Sequence, residues 1–146
     1  METRPARPSG TQEARFLLDT NICIYIRRKK PDAVLRRFRT LKQGEARLSV
    51  ITFGELVYGA EKSAQRAAAR ELLRELAEAL PVMGLPETAA EEYGTIRAEL
   101  ERKGQMIGNN DLWIAAHAKA AGLTLVTNNE REFRRVRGLK VENWTV

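Results

Sequence analysis

Short apolar runs fit for buried strands alternate along this chain with segments of helical periodicity, and that alternation narrows the possible folds more than any other feature. Phe16-Leu17-Leu18 ends at Asp19, and Thr20-Asn21 then open the apolar stretch from Ile22 to Ile26, which closes on Arg27-Arg28-Lys29-Lys30-Pro31. This reads as strand, turn, helix. Pro31 starts a second helix, with Val34, Leu35, Phe38 and Leu41 at helical spacing, and Gly44 ends it. Arg47 to Val50 is the next candidate strand, and Thr52 begins another helix. From Arg66 to Leu80 the apolar residues Ala69, Leu72, Leu73, Leu76 and Leu80 recur at three and four, which predicts an amphipathic helix. Pro81 to Leu85 is a short strand, Glu87 to Lys103 a helix with Tyr93, Ile96 and Leu100 inward, and Gly104 its terminator. A helix through Asp111 precedes Leu123 to Thr127, a β-branched run fit for a buried strand. A loop and short helical turn from Asn128 to Phe133 then lead to a closing strand from Leu139 to Trp144. The expected class is α/β: a three-layer α/β/α sandwich around a central, mainly parallel sheet of about four to five strands.

At 146 residues, 43% of them hydrophobic, the chain suits one domain with one core. Residues 1–14 carry no periodicity and read as a mobile tail, leaving 15–146 as the domain. The one cysteine, Cys23, lies among Ile22, Ile24 and Tyr25 and reads as a small buried hydrophobe in a reducing compartment, so intrachain disulfides and thiolate zinc sites are excluded. No apolar run approaches the roughly 20 residues of a membrane span, and no secretory signal is visible, which predicts a cytoplasmic protein without a membrane partner. A formal charge of +6 favours a polyanionic partner, nucleic acid above all.

Against that basic background, Ile107 to His117 place a single acid, Asp111, at the mouth of a helix whose following residues are mostly apolar or small. Gly108 lets the chain turn, Asn109 or Asn110 can cap, and Asp111 falls in the first turn, where unpaired N–H groups and the helix dipole support its charge. Ala115 and Ala118, four and seven residues on, share its face and leave open space above it. A role as helix-end decoration is the plainer reading of one such acid. Asp19 and Glu55 supply the partners for a sharper one.

In open parallel sheets the ligand crevice lies beyond the carboxyl ends of the strands, and Asp19 directly follows the first strand. Asp111 and Glu55 each open a helix. Loops rising on one side of the sheet would bring the three carboxylates together, and such a cluster needs a cation. All-oxygen ligation selects Mg²⁺ or Mn²⁺, which suits hydrolysis of a phosphodiester. Structural alternatives stand beside each acid: Thr52-Phe53-Gly54-Glu55 has the form of a capping box, and Asp19 before Thr20-Asn21 can be an N-cap or turn residue. His117, six residues from Asp111, lies round the helix and is not expected as a ligand. Trp113 and Trp144 read as core. Basic residues cluster at Arg27, Arg28, Lys29 and Lys30 and again at Arg131 and Arg134, next to the acid-bearing elements, where they would grip phosphates without reading sequence.

The segments Leu17-Leu18-Asp19-Thr20-Asn21, Ser49 to Ala60, Ile107 to Ala118, Leu125-Val126-Thr127-Asn128-Asn129 and Val141-Glu142-Asn143-Trp144, in order and at family-like spacing, resemble PIN-domain VapC toxins. The resemblance implies a PIN fold, a homodimer, and a Mg²⁺-dependent endoribonuclease restrained by a VapB-type antitoxin that places a peptide, often with an Arg, into the acidic pocket. It puts Asp19, Glu55 and Asp111 on the family's acidic positions, with Asp19 and Asp111 the direct metal ligands and Thr20, Asn21, Thr127, Asn129 and Glu132 supporting them. Many relatives carry a fourth acid where this chain has Asn129, with Glu132 a displaced substitute. The likeness is to members that cut the anticodon loop of tRNA, initiator tRNA especially, leaving 5′-phosphate and 3′-hydroxyl ends. The alternatives are a ribosomal-RNA-cleaving PIN nuclease and a non-catalytic basic RNA-binding module whose acids are only helix caps.

Overall fold

In a computed structural model, which describes residues 13–146, the apolar run β1 (Phe16–Leu18) is the middle strand of a five-stranded sheet. It pairs in parallel with β2 (Ala46–Ser49) on one side and β4 (Thr124–Val126) on the other. β3 (Val82–Met83) and β5 (Val141–Glu142) extend the two edges, also in parallel, giving the order β3-β2-β1-β4-β5. The chain thus winds outward from β1 through β2 to β3, then returns to lay β4 against β1's other edge. The expected fold class is met. The expected mobile segment, 1–14, lies outside the described residues as far as residue 12.

Strand residues alternate between two cores, because successive side chains point to opposite faces. Phe16, Leu18, Leu48 and Val126 pack with helices α1 (Thr20–Arg28), α2 (Asp32–Arg39), α3 (Val50–Glu61) and α4 (Arg66–Ala79). Leu17 and Leu125, paired across β1 and β4, face α5 (Thr88–Lys103), α6 (Asn109–Ala121) and α7 (Glu130–Phe133). Both faces of the sheet are therefore covered, as its uninterrupted apolar strands require. Cys23 is buried without a disulfide, as expected. Among the described residues no helix is long and apolar enough to cross a membrane.

Several local expectations need correction. Val50 belongs to α3 and not to β2: Ser49 is the N-cap, its Oγ accepting the Ile51 N–H at 3.2 Å, so the helix starts before Thr52 and Glu55 lies in its second turn. The capping box is therefore not formed. At α6 the N-cap is Gly108, with no side-chain cap, because the Asn109 carboxamide instead accepts the Tyr93 hydroxyl from α5. Leu72, on the predicted apolar face of α4, is 46% exposed; Leu73 and Leu76 carry that face inward. Trp113 is half-buried and stacked on Tyr93 with centroids 3.9 Å apart, whereas Trp144 is core, edge-on to Phe16 at 5.3 Å.

Leu125 is fully buried at the centre of the second core. Leu125→Ala should lower unfolding stability by roughly 2–5 kcal/mol, read from the midpoint of urea denaturation.

Candidate active site

β1 and β4 are adjacent and the winding reverses between them, so the crevice beyond their carboxyl ends is the place where such sheets bind ligands. Asp19 stands in it. Its N–H donates to the Val126 carbonyl at 2.9 Å, while its carboxylate caps α1, Oδ1 accepting the Asn21 N–H at 3.1 Å. The buried hydroxyl of Thr127, directly after β4, donates to Oδ2 and in turn accepts the Asn129 N–H at 2.9 Å. Asp19 is only 7% exposed. Burial pushes its carboxyl above the usual range, against the pull of hydrogen bonds from Thr127 and from the Asn21 and Thr20 backbone. One carboxylate thus caps α1 and ties it to the end of β4.

The next residue carries the link to the second acid. Thr20 Oγ1 donates to Glu55 Oε1 at 3.0 Å, joining the first turn of α1 to the second turn of α3. The third acid, Asp111, occupies the first turn of α6 as expected, but the helix end does not govern its ionisation. Partial burial, and then the like charges of Asp19, Glu55 and Glu132, push its carboxyl up to about 6. Ala115 and Ala118 do not leave space above it; both are fully buried in the second core. Exposed Gly108 lies directly beside it, close enough that an added Cβ would be in van der Waals contact with Asp111 Oδ2 at 3.5 Å.

The structure therefore brings Asp19, Glu55 and Asp111 into one electrostatic neighbourhood and adds Glu132 from α7 as a fourth negative charge. Asn129, at the position of the missing fourth acid, contributes its backbone N–H. The predicted supporting residue Asn21 reaches Asn128 at 3.4 Å, and Asn128 donates to the Tyr25 hydroxyl at 2.9 Å, forming a polar rim in which Asn128 and Tyr25 were given no role by the sequence. His117 is fully buried on Ser49. The basic run Arg27, Arg28, Lys29 and Lys30 closes the far end of α1, so its arginines stand about 12 Å along the helix from Asp19. Arg131 is exposed on α7, and Arg134 pairs with Glu130 at 3.1 Å. A groove of about 540 Å³ adjoins the acids, lined by Thr20, Val50, Glu55, Tyr58 and Asn110. A groove of about 670 Å³ at the opposite ends of the strands holds Arg15 and Glu45, which pair at 2.8 Å, and so lacks this concentration of like charge.

Asp19, Glu55, Asp111 and Glu132 offer oxygen donors alone, the class that Mg²⁺ and Mn²⁺ take, while Thr127 is engaged with Asp19 and Asn129. Among the described residues no three acidic, His or Cys side chains close round a point, so the side chains as they stand suit an ion held by one or two carboxylates and not a full protein cage.

A model of the PIN domain matches residues 16–139. Over 131 residues the chain is 44% identical to the tRNA(fMet)-specific endonuclease VapC of Shigella flexneri, covering 90% of this chain and 98% of that relative. The chain belongs to the VapC-type PIN-domain family. A DNA-bound VapBC structure from Salmonella typhimurium superposes with a TM-score of 0.84 at 41% identity, covering 90% of this chain and 98% of that one. VapBC2 of Rickettsia felis, bound to a promoter DNA fragment, gives 0.82 at 40% identity over 88% and 98%. The VapC-type architecture accounts for the shared edge on which the acids gather.

A carboxyl whose folded-state pKa is raised keeps the native state more protonated than the unfolded one between the two values. For Asp111 that interval runs from the ordinary 3.8 to about 6: the stabilising contribution is complete below it and is lost as pH rises through about 6. Metal-free protein should lose thermal stability across that interval, and Asp111→Asn should flatten the slope, as followed by the unfolding midpoint in a pH series.

Proposed function

We propose that this chain is a Mg²⁺-dependent endoribonuclease toxin, the VapC half of a VapBC pair, with Mn²⁺ able to replace Mg²⁺. The carrying observation is the half-buried Asp111 carboxyl, pushed up to about 6 beside Asp19, Glu55 and Glu132 at the switch point of the sheet. Such packing of like charge opposes folding unless a cation joins it. Asp19 and Asp111 are the direct ligands in this reading, and Glu55 reaches the ion directly or through water. The ion would supply positive charge that orients the scissile phosphate and offsets charge building on the leaving oxygen.

The chain's own residues have distinct parts. Thr127 and the Asn21 N–H fix the two Asp19 oxygens, and Thr20 fixes Glu55, so neither acid swings when substrate arrives. Asp111, beside exposed Gly108, would use the oxygen not needed for the ion to accept the proton of a water that attacks phosphorus in line. The bond to the 3′ oxygen breaks and that oxygen takes up a proton from solvent, leaving 5′-phosphate and 3′-hydroxyl ends. Exposed cations at Arg28, Lys29, Lys30 and Arg131 then serve flanking phosphates and not the reacting one, since a helix length separates the first group from Asp19.

The relative named for tRNA(fMet) supports initiator tRNA, cut in its anticodon loop, as the substrate, with arrest of translation and growth as the outcome. The solved VapBC complexes support a VapB-type antitoxin as partner, an arginine being suited to an acidic pocket, and the working form is taken to be a homodimer in the cytoplasm.

Asp19→Asn and Asp111→Asn should each slow cleavage of tRNA(fMet) on the order of 100- to 1,000-fold with circular dichroism unchanged, since neither opens a core cavity. EDTA should stop the wild-type enzyme and Mg²⁺ restore it. Cleavage that ignores chelation would contradict the reading, and RNA binding without any cleavage would identify a binding module. Sequencing of new 5′ ends after induction distinguishes tRNA from ribosomal RNA.

A further inference from the structure

The two helices that carry Glu55 and Asp111 repel each other through those acids, yet one buried polar contact joins them. His117 Nδ1 lies 2.8 Å from Ser49 Oγ, and both side chains are fully buried. Ser49 is the N-cap of α3, which carries Glu55 in its second turn; His117 is on α6, which carries Asp111 in its first. The same Ser49 oxygen accepts the Ile51 N–H at 3.2 Å, so one atom both starts α3 and fastens it to α6.

Hydrogen counting fixes the sense of the contact. Burial holds the imidazole below its ordinary pKa, and therefore neutral. If Ser49 O–H donates to Nδ1, the hydroxyl uses its one hydrogen and only an Nε2–H is left over. If Nδ1–H donates instead, both the Nε2 lone pair and the serine hydrogen are stranded. The first arrangement strands fewer groups.

A stable core would not choose this pair. Among the described residues His117 Nε2 has no hydrogen-bond partner, and neither has Thr52 Oγ1 on α3, although both atoms are buried. A buried polar atom without a partner weakens the fold, and an apolar side chain at 117 would remove the Nε2 group only by leaving the Ser49 hydrogen without an acceptor. Polar groups kept at a cost in stability point to placement of the site.

We propose that His117, acting through Ser49, is a positioning residue that holds the Glu55-bearing helix against the Asp111-bearing helix and so sets the spacing at which the acids share a divalent cation. This rests on the metal-dependent reading above. His117 touches neither substrate nor ion; its effect is geometric, like that of the groups that orient metal ligands from behind.

The test compares full-length wild type, His117→Leu and His117→Asn, the asparagine retaining a polar acceptor near the Nδ1 position. Mn²⁺ affinity is measured by calorimetry, and hydrogen exchange of the first-turn amides of α3 is measured without metal. His117→Leu should bind Mn²⁺ on the order of 10-fold more weakly and exchange the α3 amides faster, with His117→Asn close to wild type. Unchanged Mn²⁺ affinity and unchanged α3 exchange in His117→Leu, whatever its thermal midpoint, would reduce His117 to a packing residue and overturn the proposal. Wild-type protein that takes up no Mn²⁺ would sink the metal-dependent reading instead; the exchange rates alone then decide whether the tie exists, unchanged exchange in His117→Leu refuting it.

Discussion

Parallel pairing of β1 with both β2 and β4 is the constraint from which the rest follows. It sends the carboxyl ends of three strands to one edge, so the residues just past them, Asp19, the α3 that follows Ser49, and Thr127, meet although they are far apart in sequence. The hydrogen bond from Thr127 to Asp19 spans 108 positions and exists only because those two ends are neighbours. The crossover helices on both faces bury the strands and carry the remaining acids to the same rim. Glu55 arrives in the second turn of α3, and Asp111 in the first turn of α6.

Electrostatics at that rim runs against folding. Burial opposes the charge on Asp19, and three neighbours oppose the charge on Asp111. Local hydrogen bonds answer part of this: Asn21, Thr20 and Thr127 hold oxygens of Asp19 and Glu55. They fix positions but bring no net positive charge. No lysine or arginine is paired with Asp19, Glu55 or Asp111 among the described salt bridges, in a chain whose formal charge is +6. The positive charge is deployed elsewhere, on helix ends such as that of α1 and across α7. The proposed function gives this rim a divalent ion at its centre and a polyanion around it.

Much of this was legible in the chain because it is written locally. An apolar run that stops at an acid, as Leu17-Leu18-Asp19 does, states both a strand and what stands at its end, and the alternation of strands with helical periods stated the layered class. The three acids could be named because each reads locally as opening a helix or following a strand, which is true of Asp111 and Asp19, whereas Glu55 lies a turn further into α3. What depended on contacts across the fold was not legible. Thr52 to Glu55 has the spacing of a capping box, but Ser49, whose hydroxyl also meets His117 from 68 positions away, takes the capping role. The dipole at the mouth of α6 predicted a readily ionised Asp111; burial and three distant carboxylates outweigh it. Ala115 and Ala118 looked like open space on a bare helix and are packed core in the folded one. Only the family resemblance points to Glu132; its influence on Asp111 depends on the placement of α7, which no local pattern specifies.

The account stands on mutual repulsion among Asp19, Glu55, Asp111 and Glu132 that a divalent ion relieves. Its most direct measurement is a ¹³C NMR titration of the Asp111 side-chain carboxyl, first in metal-free protein and then in saturating Mg²⁺. The expected result is a midpoint near 6 without the ion and a fall toward or below the ordinary 3.8 with it. A midpoint at the ordinary value in both titrations would show a carboxylate with no crowded neighbours and no cation to hold, and would contradict the central claim.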